Sequence, residues 1–120
     1  MSKAHNKPAY RAGDWVIVSG QTGRIGEKLV SDAFPDQFSQ CLENVRHVLE
    51  QEAVPLTAVA KVNIYLRKMS DREAMNMIYS NFFGEHLPAR TTVGVSELSR
   101  GALVEIEAWA FDRKDEFRSL

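Results

Sequence analysis

Apolar and polar positions alternate with the two-residue period of a strand along several stretches of this chain. In "AKVNIYLRK", Val62, Ile64 and Leu66 point one way, and Lys61, Asn63, Tyr65 and Arg67 the other. Thr91, Val93 and Val95 repeat the pattern, following Pro88 and Arg90. From Leu103 to Phe111, Val104, Ile106, Ala108 and Ala110 form a small apolar face, with Glu105, Glu107, Trp109 and Phe111 opposite. Trp15 to Ser19 is apolar and β-branched and ends at Gly20, so it reads as a strand too. A shorter strand, Ala9 to Ala12, precedes it across a turn at Gly13-Asp14, and the glycines of "GQTGRIGEKLVSD" mark a loop.

Two segments carry the helical period instead. Over residues 33–51, Phe38, Cys41, Leu42, Val45, Val48 and Leu49 lie on one stripe. Asp32 is placed to cap this helix, and Pro35 falls in its first turn, where the missing N–H costs little. "SDREAMNMIYSNFFGEH" has Ser70 and Glu73 in capping-box spacing. Its apolar stripe is Ala74, Met75, Ile78, Tyr79, Phe82 and Phe83, and Gly84 is placed to stop it. Residues 1–8 read as a flexible arm and 112–120 as a solvated polar tail.

The expected order is β-β-α-β-α-β-β in a single α+β domain. Each helix joins two strands, so right-handed crossovers should set both helices on one face of a mixed β-sheet. The other face would carry Trp109, Phe111 and Trp15, a large exposed apolar patch for a monomer. Another subunit is expected to cover it, most simply in a cyclic assembly.

Composition narrows the classes. The chain has 120 residues, 15 basic and 16 acidic, with no basic run. Nucleic acid is therefore not an expected partner, because phosphate binding calls for a clustered basic face. One cysteine, Cys41, excludes an internal disulfide and a cysteine metal cluster. No apolar run suits a secretory signal or a membrane span, so a cytoplasmic location is expected.

Few residues remain for chemistry. Cys41 sits on the apolar stripe and reads as a small core residue. His5, His47 and His86 are not spaced as metal ligands, and no serine lies in a nucleophile elbow, so neither a metal nor a cofactor is expected. The glycines of "SGQTGRIG" lack the dinucleotide spacing. Arg90, Glu105 and Glu107 interrupt apolar strands, where charge is costly unless paired, hydrogen-bonded or wet. Periodicity alone leaves two explanations open: an Arg–Glu ion pair at an interface, or a functional site.

"SGQ", "NMIYSNFFGEHLPARTTVGV" and "RGALVEIEAWA" together resemble the RidA/YjgF family of reactive-intermediate (enamine/imine) deaminases, from Trp15 to Phe111. The resemblance implies a chorismate-mutase-like fold and a homotrimer with clefts between subunits. It implies hydrolysis of 2-imino and 2-enamino acids, such as 2-iminopropanoate and its tautomer 2-aminoacrylate, to 2-oxo acids and ammonia. Arg90 of "PAR" matches the residue that binds the substrate carboxylate, and Glu105 of "VEIEA" the one that orients water. Ser19, Gly20 and Asn76 match further binding positions. Thr92 stands where relatives often carry cysteine, which changes the pocket's shape. "KPAYRAG" is shorter than the family's usual segment, with Tyr10 as the ring to close the pocket. A larger imine acid, such as an aminomuconate-type intermediate, is an alternative substrate. A non-catalytic or regulatory 2-oxo acid binder is an alternative function. Ribonuclease activity, attributed to some relatives, fits poorly with the near-neutral charge.

Overall fold

The computed structural model describes residues 5–113. The strands are β1 (Ala9–Ala12), β2 (Trp15–Thr22), β3 (Arg24–Ile25), β4 (Lys28–Leu29), β5 (Val59–Leu66), β6 (Ala89–Gly94) and β7 (Val104–Phe111). Helix α1 (Phe34–Gln51) lies between β4 and β5, and α2 (Arg72–Phe83) between β5 and β6. Five strands form one sheet in the order β1-β2-β7-β5-β6, with β5 and β6 parallel and the other pairs antiparallel.

The helical stripe of α1 is buried throughout, from Phe34 and Phe38 to Leu49. It packs on Val16 and Val18 of β2, Val62 and Ile64 of β5, and Val104, Ile106, Ala108 and Ala110 of β7, all within one apolar cluster. Burying each larger aliphatic or aromatic side chain contributes about 1.5–3 kcal/mol, so this single layer contact dominates stability. Met75, Tyr79 and Phe83 of α2 are buried in the same cluster. Gly84 ends α2 with φ +63°, and its N–H donates to the Ser80 carbonyl at 2.9 Å.

Among the described residues no helix lies on the opposite face. Trp15 and Phe111 are cross-strand partners there, with rings edge to face at 5.0 Å and more than a third of each side chain exposed. The expected mixed sheet, with two helices on one face and an apolar face opposite, is the observed architecture.

Several local expectations change. The glycine-rich segment is not a loop. Strand β2 runs on to Thr22, and β3 and β4 form a hairpin. A bulge allows this: three steps from Val18 to Gln21 match two from Ala108 to Ile106 on β7. Asp32 does not cap α1. The cap residue is Ala33, whose N–H is taken by Ser31 Oγ at 3.0 Å. The Ser70–Glu73 capping box does not form, because a 3-10 turn over Met69–Asp71 moves the start of α2 to Arg72.

Both ends are held more closely than expected. Within the arm expected over 1–8, Lys7 and Pro8 accept hydrogen bonds from the hydroxyl and N–H of Ser19, at 2.6 and 2.9 Å. Residues 1–4 lie outside the described residues. Asp112, assigned to a solvated tail, is buried: its N–H donates to Asp14 O at 2.6 Å and its carboxylate accepts from Arg11 Nη2 at 3.4 Å. Burial is tolerated because the charge is paired. Residues 114–120 lie outside the described residues.

Candidate active site

Strand register decides which chemical groups meet. On β6, Arg90 pairs with Val62 and Thr92 with Ile64, both of which face the helices. Thr91 and Val93 are exposed on the other side. The alternation of Thr91, Val93 and Val95 left the buried face open, and the structure turns the face carrying Arg90 toward the core layer. Arg90 is also the second residue of its strand rather than a residue before it.

Arg90 lies at the open edge of the sheet, in a recess of about 360 Å³ lined by Asn76, Tyr79, Ser80, Leu87, Pro88 and Arg90 itself. Its guanidinium carbon sits 4.9 Å from the centre of the Tyr79 ring. That cation–π contact is worth about 0.5–2 kcal/mol, and it orients the guanidinium without neutralising it. Among the described residues Arg90 makes no ion pair with an acid. No Arg90–Glu pair forms within the described residues, so an ion pair of Arg90 would have to come from another subunit. Thr92 shares this side of β6, and its Oγ1 is buried without a hydrogen-bond partner among the described residues.

Glu105 is on the other face. It pairs with Tyr65 of β5 and Thr22 of β2, and alternation turns it away from Val104 and Ile106. Its carboxylate rests on the backbone of Gly20 at the β2 bulge, where a Cβ would lie 2.8 Å from the Glu105 carboxyl carbon. Two residues on, Glu107 accepts hydrogen bonds from Asn63 Nδ2 at 3.2 Å and from the Tyr65 hydroxyl. That bond to Glu107 is the main reason the Tyr65 hydroxyl holds its proton above the ordinary range. Burial, and then the charge of Glu107, push the Glu105 carboxyl above the usual glutamate value.

This shift has a thermodynamic sign. A carboxyl with a raised folded pKa binds its proton longer in the native chain than in the unfolded one, so native stability falls as pH rises through that interval. Glu105→Gln should therefore raise Tm at about pH 7 and leave it unchanged at about pH 3, below the unfolded value. Thermal unfolding at both pH values checks this, and an equal change at both would contradict it.

The remaining expected site residues divide in the same way. Gly20 lies against Glu105. Tyr10 pairs with Ile17 and is largely exposed on β1, three residues along β2 from Gly20. The Ser19 hydroxyl donates to Lys7 O at 2.6 Å and accepts from Asn6 Nδ2 at 3.3 Å, so it fastens Asn6 and Lys7. Asn76 is in the Arg90 recess. The structure thus brings Arg90, Asn76 and Thr92 to one side of the sheet and Glu105 and Gly20 to the other, and it does not join the two groups. Tyr79 lines the Arg90 recess as well. Its helical spacing marks it only as a core position, so no sequence signal separated it from Phe82 or Phe83.

Cys41 is buried as expected, its Sγ 3.7 Å from Val104 O, and burial raises its thiol pKa strongly. Such a thiol is inert. His86 Nε2 lies 2.7 Å from Val59 O, and His47 is exposed. Among the described residues no helix is long and apolar enough to cross a membrane.

The described residues form a small α+β domain: a five-stranded mixed sheet with both helices on one side, an arginine without an ion-pair partner among them in a recess, and a glutamate on the far face. The model of a family described as Endoribonuclease L-PSP matches residues 2–111. The chain is 41% identical over 106 residues to a RutC family protein of Pyrococcus horikoshii, covering 86% of this chain and 83% of that one. It is 39% identical over 103 residues to a Dermatophagoides farinae protein named 2-iminobutanoate/2-iminopropanoate deaminase, covering 83% and 80%. The crystal structure of RidA from an Antarctic Psychrobacter matches it with a TM-score of 0.86 at 31% identity, over 92% of this chain and 91% of that one. The chain belongs to the RidA/YjgF family. The names among its matches include deaminase, endoribonuclease and regulator.

Proposed function

We propose that this protein hydrolyses reactive 2-imino and 2-enamino acids to 2-oxo acids and ammonia, at sites assembled between the subunits of a homotrimer. The observation that carries this reading is the placement of Arg90 and Glu105 on opposite faces of one sheet, each in a half-built site. A second copy covering the helix-free face supplies the missing half to each, and covers Trp15 and Phe111 as it does so.

The chemistry needs only these parts. A guanidinium fork accepts a planar carboxylate through two parallel hydrogen bonds, which orients the adjacent imine carbon for attack. That carbon is already electrophilic once the imine is protonated. Water adds to it while Glu105 takes a proton from the water, and the π pair moves onto nitrogen to form a carbinolamine. Glu105 returns its proton to the nitrogen, the C–N bond breaks with its electron pair leaving on ammonia, and the hydroxyl passes its proton to the freed Glu105 carboxylate as the carbonyl forms, from which it goes to ammonia or water. A carboxyl held above its usual pKa suits both halves of this exchange. Gly20 keeps the carboxylate against the backbone, Asn76 and Thr92 shape the arginine side, and Tyr10 stands at the rim of the glutamate side. The balanced charge of the chain favours this over an RNA substrate.

Subunit mixing tests it. Trimers of Arg90→Ala alone and of Glu105→Gln alone should be inactive. Co-refolded in equal amounts they should regain roughly a quarter of wild-type activity, since one interface in four then pairs an intact Arg90 with an intact Glu105. 2-Oxo acid release from enzymatically generated imines gives the rate. No recovery in mixed trimers of confirmed mass would refute a shared site.

A further inference from the structure

Beside the Arg90 recess lies a buried polar atom with no hydrogen-bond partner among the described residues. Tyr79 is 97% buried, at 3% relative exposure. Its ring supports the Arg90 guanidinium and packs on Phe83 at 4.7 Å, while its hydroxyl has no hydrogen-bond partner among the described residues. A buried hydroxyl left unpaired costs free energy, so a phenylalanine would serve packing alone better. Tyr79 also lines the recess with Arg90.

A carboxylate is what such a recess lacks. Held by both prongs of the Arg90 fork, it still offers further lone pairs, and each seeks a donor. Tyr79 carries a donor: burial pushes its hydroxyl up to about 12 against the pull of Arg90, so it stays protonated throughout the working range. We infer that Tyr79 is a ligand-binding residue, donating a hydrogen bond from its hydroxyl to the carboxylate that Arg90 holds, with its ring fixing the plane of the guanidinium. This deepens the proposed function and rests on its reading of the Arg90 recess as a carboxylate site. It adds a recognition element that admits planar monocarboxylates and discriminates against their amides and esters, which present fewer charged oxygens to the two donors.

The test is Tyr79→Phe, which keeps the ring and deletes one oxygen. Its Tm should equal or exceed that of wild type, because an unpaired buried hydroxyl is gone. Pyruvate, used as the probe in calorimetry on the intact assembly, should bind about tenfold more weakly, the loss expected for one hydrogen bond to a charged acceptor. In turnover the same variant should raise KM by a similar factor and leave kcat close to wild type. A purely structural tyrosine would move neither Kd nor KM, and unchanged pyruvate affinity in Tyr79→Phe overturns the inference. Arg90→Ala is the control. If it loses pyruvate while Tyr79→Phe does not, only the hydroxyl's role fails. If Arg90→Ala binds pyruvate like wild type, the carboxylate recess itself is wrong and this inference falls with it.

Discussion

Arg90→Ala is expected to lower kcat/KM for imine hydrolysis by roughly 10²–10³, with a comparable loss of pyruvate affinity. The magnitude comes from two charge-assisted hydrogen bonds, together worth about 3–4 kcal/mol, at about 1.4 kcal/mol per factor of ten. The fold should survive, because Arg90 lies in the edge strand of the sheet and makes no ion pair among the described residues. Arg90→Lys separates charge from shape. It keeps the cation and loses the planar fork, so it should recover only a minor part of the lost activity. Steady-state kinetics with sedimentation of each variant make the comparison. A fully active, trimeric Arg90→Ala would remove the basis of the proposed mechanism.

The second large effect is at a residue with no side chain. Gly20→Ala should reduce kcat nearly as far as Glu105→Gln does, by roughly 10²–10⁴, the range attributed to a positioned general base. An added Cβ would press on the Glu105 carboxyl group and leave it no room against the bulge. The obstructed atoms are the far end of a flexible side chain on a half-open face. The carboxylate can therefore swing away, and unfolding free energy should change by less than about 1 kcal/mol. Pyruvate affinity should stay within a few-fold of wild type, because the Arg90 half-site is untouched. Low turnover, preserved binding and a preserved Tm together identify a displaced base. Full turnover in Gly20→Ala would mean that the place where Glu105 rests is immaterial.

Much of the fold was legible because one physical rule, burial of one stripe or one face, governs it. The stripe from Phe38 to Leu49 and the alternation of Val104, Ile106, Ala108 and Ala110 announce their elements without reference to anything distant. The errors fell where short-range hydrogen bonds compete. The Ser31 hydroxyl accepts the Ala33 N–H and α1 begins one residue beyond the start that Asp32 would cap, while a 3-10 turn displaced the Ser70 capping box. The glycines of "GQTGRIG" argued for a loop, yet a bulge against β7 carries the strand past Gly20. A bulge depends on the partner strand's register, which has no local signature.

The candidate site was legible as an inventory and not as an arrangement. Arg90 and Glu105 stood out because charge inside an apolar strand demands an explanation. The motif resemblance supplied Gly20, Asn76 and Thr92. Nothing in the order of letters distinguished Tyr79, whose position in a helical stripe looks the same whether its hydroxyl is idle or in use.

Element type, the two-faced sheet and the expectation of a covering subunit follow from local periodicity and from the imbalance between apolar surface and available helices. Which face receives Arg90 and which receives Glu105 does not. That depends on the pairing of β6 with β5 and of β7 with both β2 and β5, and a slip of one residue would exchange the faces. Side-chain direction in a sheet is a property of register between distant segments, so the separation of the two half-sites emerges only when the strands are laid together.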